Sequence, residues 1–298
     1  MNKRKTLKEL TLKDNFMFCA VMSKEDNCRR LLEMTLQFPI EKVEVSKEKS
    51  IIYHPEFKGI RLDVYAKDEK NTHYNVEMQA IRKDALGKRT RYYHSQIDME
   101  LLKSGAEYSE LPNVYVIFVC DFDPYGKKKY CYTFERRCAE DISITMRDGC
   151  KSIFLSTKGE NPHEVPEEMV KFLDFVKADL PESTGDFGDA FVRSLQDSVQ
   201  EVKVNREMEE RFMILQEMIW DERKEARAEG RAEGRAEGRA EGRAQGQAEY
   251  VLNLLERLDS PSQELRETIM SETDLTVLKR WFELALNSKT LEEFLKNM

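Results

Sequence analysis

Histidine is scarce in this 298-residue chain: there are four, His54, His73, His94 and His163, and no HExxH pair. A zinc hydrolase of that class is therefore excluded. The six cysteines, Cys19, Cys28, Cys120, Cys131, Cys138 and Cys150, include no CxxC. Structural zinc and dithiol redox chemistry lack their spacing, and free thiols in a reducing cytoplasm are expected. No run approaches about 18 apolar residues, so no membrane-spanning helix and no membrane partner are expected. The opening MNKRKTLKEL has no signal-peptide core. GxxxxGK and GxGxxG are both missing, which leaves little support for a hydrolase of small phosphorylated substrates. A positive excess is missing too: 48 Lys and Arg face 56 Asp and Glu, a net charge of −8. That argues against bulk electrostatic binding of nucleic acid and leaves room only for a local basic patch.

What the chain does have is a chemically loaded hairpin at Arg61–Gln79. Leu62 and Val64 alternate with Arg61, Asp63 and Tyr65; Tyr74, Val76 and Met78 alternate with Asn75, Glu77 and Gln79. Period-two alternation predicts two half-buried strands, joined by the polar loop Lys67–His73. If Ala66 faces Tyr74, Asp63 stands opposite Glu77, on the face away from Leu62, Val64, Val76 and Met78. Opposed Cβ atoms lie about 4.5–5.5 Å apart, and like charges there are destabilising. Such a pair needs a raised pKa or a bound cation. Gln79 shares the face of Glu77, since side chains repeat every two residues along a strand. Two carboxylates suit Mg²⁺, with Mn²⁺ as the alternative; the ion would activate water and neutralise charge on a phosphodiester. The spacing also fits a structurally neutral, solvated hairpin, and on pattern alone both readings stand.

The rest of the chain gives the hairpin a setting. Residues 6–36 are expected to be helical, with a break at Ser23–Asn27 and an end at Pro39, and residues 42–53 to supply an edge strand. Residues 81–105 carry basic and aromatic side chains in front of a helical stripe that includes Ile97 and Leu101. VYVIFVC (Val114–Cys120) reads as a central strand buried on both faces, ended by a turn at Asp121 and Asp123. YCYTF (Tyr130–Phe134) and SIFLS (Ser152–Ser156) predict two more strands. From Glu164 the pattern is helical; a break at Pro181–Gly188 precedes a charged helix from Phe191 to about Lys224. The expected architecture is α/β, a mixed sheet with flanking helices, then a charged helical array and a small α-helical tail.

Arg227–Gly246 reads RAEG four times and then RAQG. Like charges recur at i and i+4, and glycine at every fourth place costs about 1 kcal/mol each in an isolated helix. A solvated spacer and a self-associating helix that makes a homo-oligomer both fit this pattern. Balanced Arg and Glu make it a poor DNA arm. The tail, Tyr250–Met298, carries further helical stripes but is short for a core of its own. The expected divisions are 1–180, 181–249 and 250–298.

TLKDNFMFCAVM, GIRLDVYAKDEKNTHYNVEMQ, RTRYYHSQID and PNVYVIFVCDFDPYG, followed by a Glu/Arg/Gly-rich array and a helical tail, together resemble the Rpn family. These are recombination-promoting nucleases and transposases of the PD-(D/E)XK superfamily. The likeness spans essentially the whole chain and is best from about residue 6 to 126. It implies a restriction-endonuclease-like core and Mg²⁺-dependent DNA cleavage linked to recombination or mobile DNA. Asp63 then fills the metal-binding aspartate position, Glu77 the acidic position of the E-x-K element, and Gln79 the lysine position. The Met78 carbonyl is implied as a further metal ligand, and the acid of the first helix as Asp14 or Glu33. Gln79 departs from the superfamily pattern, because an amide supplies neither a positive charge nor a basic nitrogen. A catalytically weak nuclease fold that assembles a complex is therefore the alternative. Arg82, Lys83, Arg91, Tyr92 and Gln96 are candidates for contact with DNA, against a reading in which they form a solvated helix whose tyrosines pack on the sheet.

Overall fold

The computed structural model describes residues 5–47, 49–51 and 60–298. It divides into two compact units, Met1–Met213 and Ile214–Met298.

In the first unit a six-stranded sheet holds β1 (Val43–Lys47), β4 (Val64–Asp68), β5 (His73–Gln79), β6 (Val114–Cys120), β7 (Cys131–Phe134) and β8 (Cys150–Ser156). The strand order is β1-β4-β5-β6-β8-β7. β5, β6 and β8 run parallel, and β1, β4 and β7 pair antiparallel with their neighbours. Ser50–Ile51 (β2) and Ile60–Arg61 (β3) form a separate two-stranded ribbon. The edge strand expected at 42–53 is thus split in two, and residues 52 and 53 lie outside the described residues.

VYVIFVC lies inside the sheet as its composition predicts. Ile117 and Val119 enter one core, while Val114, Val116, Phe118 and Cys120 enter the other. Strand periodicity feeds two opposite layers. The first layer is built by α1 (Asn15–Met22), α2 (Glu25–Leu36), α4 (Glu167–Lys177) and α5 (Ala190–Val204). The second is α3 (Leu86–Leu101), whose inner stripe Leu86, Thr90, Tyr93 and Ile97 is buried at helical spacing.

The β4–β5 register is Ala66 to Tyr74 and Val64 to Val76. Both strands are longer than the polar run predicted. β4 reaches Asp68 and β5 starts at His73, so only Glu69–Thr72 turns. Asp68 makes this possible: its Oδ1 accepts the amides of Lys70 (2.9 Å) and Thr72 (2.8 Å). Leu62 is a correction. It joins the α3-side core with Tyr65, not the face of Val64 and Val76. The chain bends at Asp63, where the carboxylate takes the Met78 amide at 3.2 Å, and the Leu62 amide turns away to the Lys49 carbonyl at 2.8 Å.

The charged helix expected from Phe191 to about Lys224 is two helices. The Asn205 side chain accepts the Met208 amide at 3.1 Å, an N-cap bond that ends α5 and starts α6 (Arg206–Leu255). α6 then runs helically through the whole array. In the second unit its end joins α7 (Gln263–Ser271), α8 (Leu275–Asn287) and α9 (Leu291–Asn297). Ala244, Ala248, Leu255, Ile269, Leu278 and Phe294 meet in a small core.

Candidate active site

β5 carries three polar side chains, Asn75, Glu77 and Gln79, on its α3-facing side, and all are buried. Its other side, Tyr74, Val76 and Met78, fills the opposite core. Burying polar groups costs free energy unless each finds a partner, and here each carboxylate oxygen does. Glu77 Oε1 accepts from the Asp63 amide (3.3 Å) and from Asn75 Nδ2 (3.1 Å). Glu77 Oε2 accepts from Arg89 Nη2 (2.9 Å) and from the Tyr93 hydroxyl (3.4 Å). Asp63 Oδ1 accepts from Asn15 Nδ2 (3.1 Å), and Oδ2 from the Met78 amide.

Asp63 and Glu77 therefore come together as the alternation predicts, although Asp63 stands on a bend and not within the paired strand. Burial pushes both carboxyls above the usual carboxylate range; for Glu77 the Asp63 charge is the next largest cause. Arg89 opposes the shift at both groups without cancelling it.

Gln79 is tied down at both ends of its amide. Its Nε2 donates to the Met78 carbonyl at 2.9 Å, and its Oε1 accepts from Arg89 Nη1 at 3.0 Å. Arg89 thus holds Gln79 and Glu77 with one planar fork, a geometry a lysine cannot reproduce. Tyr93 steadies that fork, taking Arg89 Nε and Nη2 at 2.8 and 2.6 Å. Arg89 is 28 % exposed and Glu77 1 %, so the positive charge reaches from the rim of the site to a carboxylate that water does not.

Arg89, Tyr93, Asn15 and Asn75 are the parts the sequence reading missed. The i, i+4 spacing of Arg89 and Tyr93 on a helix after the hairpin was the available signal. Neither first-helix candidate acid bonds to the pair. Asp14 precedes α1 and holds Lys5 (2.8 Å) and the Thr11 amide (2.8 Å). Glu33 holds Arg29 and the Ile40 amide, each at 3.0 Å. The α1 side chain that reaches Asp63 is Asn15, one residue past Asp14.

The candidate DNA contacts divide. Arg82, Lys83 and Arg91 are exposed, and Arg82 Nη2 donates to the Pro124 carbonyl at 3.5 Å. Arg91 lies two residues from Tyr93, about 200° around the helix, and so faces away from the carboxylates. Tyr92 is half-buried against the α3-side core, and Gln96 is only 7 % exposed. Asp123 is a turn residue: its carboxylate accepts the amides of Tyr125 (3.0 Å) and Lys128 (2.7 Å).

Among the described residues, no three His, Cys, Asp or Glu side chains gather as a metal cluster. The donors that do converge are hard oxygens: two carboxylates that burial keeps from ionising freely, Glu77 further hindered by the Asp63 charge, beside the Met78 carbonyl. That set fits Mg²⁺, which takes one or two protein carboxylates and completes its shell with water and phosphate oxygens. Among the described residues no helix is long and apolar enough to cross a membrane.

No curated protein and no solved structure matches the chain. The family described as PD-(D/E)XK nuclease family transposase matches residues 12–178, more than half of the chain. That span contains the mixed sheet, the Asp63–Glu77 pair and α3, and the chain belongs to this nuclease family.

Proposed function

We propose that the protein is a Mg²⁺-dependent DNA endonuclease acting in recombination or on mobile DNA. The observation that carries this reading is the convergence of Asp63 and Glu77, two largely buried carboxyl groups linked by the Asp63 amide on Glu77 Oε1, with burial and then the Asp63 charge raising the pKa of Glu77. Asp63, Glu77 and the Met78 carbonyl are the groups that would hold the ion. When bound, the ion supplies Lewis-acid stabilisation of a phosphodiester and a more acidic water. The chain's own residues do the positioning. Asn15 orients the Asp63 carboxylate, Asn75 orients Glu77, and Arg89 brings a positive charge beside Gln79, where an amide alone has none. A guanidinium there can offset charge gathering on a phosphate, a role that needs no proton transfer. Exposed Arg82 and Lys83 supply backbone contacts, while Arg91, on the outer side of α3, is left out of them.

Purified protein should nick or cut DNA with Mg²⁺ or Mn²⁺ and not with Ca²⁺, and Asp63→Ala should abolish cutting. Equal activity of wild type and variant removes the proposal.

A second reading is a catalytically weak nuclease fold used for assembly. Gln79 favours it, because both ends of its amide are already bonded to Met78 and Arg89. Calorimetry separates the two: Mn²⁺ binding that is lost in Glu77→Ala counts against an inactive site. α6 would carry self-association in either case, since Ile214 and Met218 are exposed apolar residues on it. Light scattering on a chain ending at Lys224 tests the part of the array; an unchanged mass sinks it.

A further inference from the structure

The sheet register lines up a row of aromatic residues with Glu77. Glu77 pairs with Phe118, Phe118 with Phe154, and Phe154 with Tyr132. Neighbours in register point to the same face, so the row starts at the carboxylate and crosses the sheet to its edge. The rings touch along it. Tyr93 stacks on Phe118 with centroids 6.2 Å apart, and Phe118 lies nearly parallel to Phe154 at 5.3 Å. Phe154 then meets Tyr125 at 5.3 Å and Phe134 at 5.7 Å, both edge-on. At the inner end α3 covers the row. At the outer end Tyr125 is 39 % and Phe134 44 % exposed. Large rings at a sheet edge are costly to leave wet, and covering Phe154 does not require aromatic residues.

Beside the outer rings Asp123 takes the Tyr132 hydroxyl at 2.7 Å and the Tyr125 amide at 3.0 Å, and two nearby cations, Lys127 and Arg82, are left to meet a phosphate. Lys128 and Lys129 are engaged by Glu160 and Glu164. Lys127, two residues past Tyr125, is exposed and holds no ion pair among the described residues. Arg82 donates to the Pro124 carbonyl next to Tyr125 and holds no ion pair among the described residues. The distance is also suitable. Three strand spacings separate Glu77 from Tyr132, about 14 Å, which a few nucleotides span at 3.4 Å or more each.

We propose that Tyr125 and Phe134 are a base-stacking platform that receives unpaired nucleotides of a DNA strand and leads the backbone to Asp63 and Glu77. The substrate class is then DNA with single-stranded character, such as tails, flaps or gaps. Bases inside an uninterrupted duplex keep their faces stacked on one another and offer none to a ring, whereas every unpaired base has a face to give. The platform rests on the nuclease reading for its purpose but not for its binding.

The test uses the full-length protein without divalent metal, so that nothing is cut. Fluorescence anisotropy is measured with a labelled single strand and with a duplex containing it, for wild type and for Tyr125→Leu/Phe134→Leu. Leucine keeps an apolar cover over Phe154 and removes the π-faces. The double variant should lose about tenfold or more of its single-strand affinity while its duplex affinity and melting temperature hold. A strand carrying 5-iododeoxyuridine should photocross-link to Tyr125 or Phe134. Unchanged single-strand affinity, or adducts only elsewhere, overturns the proposal. So does a double variant whose molecular mass drops, since the rings would then be a contact between copies. Cutting of a tailed duplex with Mg²⁺ is read separately. Binding as expected without cutting fails the nuclease reading and keeps the platform; a double variant that cuts with the same preference between tailed and plain duplex as the wild type fails the platform and keeps the nuclease.

Discussion

Among the described residues, Arg89 is the one cation bonded to Glu77, a carboxylate otherwise sealed from water. Breaking a buried ion pair from one side leaves the other charge uncompensated, at a cost of about 3–5 kcal/mol when both partners are buried. Arg89 is partly exposed, so solvent takes up some of that loss. Arg89→Met should lower unfolding stability by about 2 kcal/mol in urea titrations, and adding Glu77→Gln should restore much of it. A midpoint unmoved by Arg89→Met would show that the fork contributes nothing to the fold. The two carboxylates carry a pH signature of their own. Both are raised in the folded chain, chiefly by burial. A raised folded pKa contributes stability that is full below the unfolded value and is lost as pH rises through the folded one. The metal-free protein should therefore weaken between about pH 5 and 8, and Asp63→Asn should flatten that slope and raise stability at pH 8. Metal binding has the opposite sign, because it needs both groups ionised. Mn²⁺ affinity should fall on going from pH 8 to 6, with protons released on binding, as calorimetry in two buffers of different ionisation heat will report. Asp63 and Glu77 were legible in the sequence because strand alternation alone puts them on one face. Arg89 was not, since its reach to Glu77 depends on how α3 lies across the sheet, which no local period encodes.

Among the elements, the strands read most clearly. Val114–Cys120 declared itself by composition, and the pairing of Ala66 with Tyr74, supposed from the sequence, is the register that the two strands adopt. What alternation could not give was the bend at Asp63. There a side-chain oxygen replaces a backbone carbonyl as acceptor for Met78, and Leu62 leaves for the other core. The helix division at Asn205 has a local cause, an N-cap bond written as Asn three residues before Met208. α6 runs against its own propensities. Gly230, Gly234, Gly238 and Gly242 have open space where a Cβ would stand, so no close packing requires glycine there. Replacing these four by alanine should add roughly 0.8–1 kcal/mol of helix stability at each position, seen as higher mean helicity and later melting of the far-ultraviolet dichroism. If the variant instead loses oligomeric mass, the glycines serve a close approach between copies.

At the scale of the whole molecule, the family match ends at residue 178, close to the boundary expected at 180, but the compact unit that holds the sheet runs on to Met213. A boundary near residue 180 follows the Pro181–Gly188 break, yet α5 lies beyond it and buries Phe191, Val192, Leu195, Val199 and Val202 in the main core. The Phe191 ring stacks on Phe172 at 6.0 Å, and farther along Phe212 meets Phe16 at 5.0 Å. Full burial of such side chains stabilises by about 1.5–3 kcal/mol each. Those of α5 together approach the 5–15 kcal/mol that a whole domain commands. The same segment satisfies polar groups of α2: Ser198 accepts from both Lys24 and Asn27, the latter at 3.0 Å from a buried amide. A chain of residues 1–180 would expose the inner faces of α1, α2 and α4 and leave the Asn27 amide short of a partner. It should aggregate or unfold without cooperativity, whereas residues 1–213 should unfold in one sharp urea transition and bind Mn²⁺ as the full chain does. The metal titration matters as much as the unfolding curve, because α1 supplies Asn15 to Asp63 and packs directly on α5. Cooperative unfolding and full Mn²⁺ binding by residues 1–180 would show that α5 is an accessory to the nuclease core and not part of it.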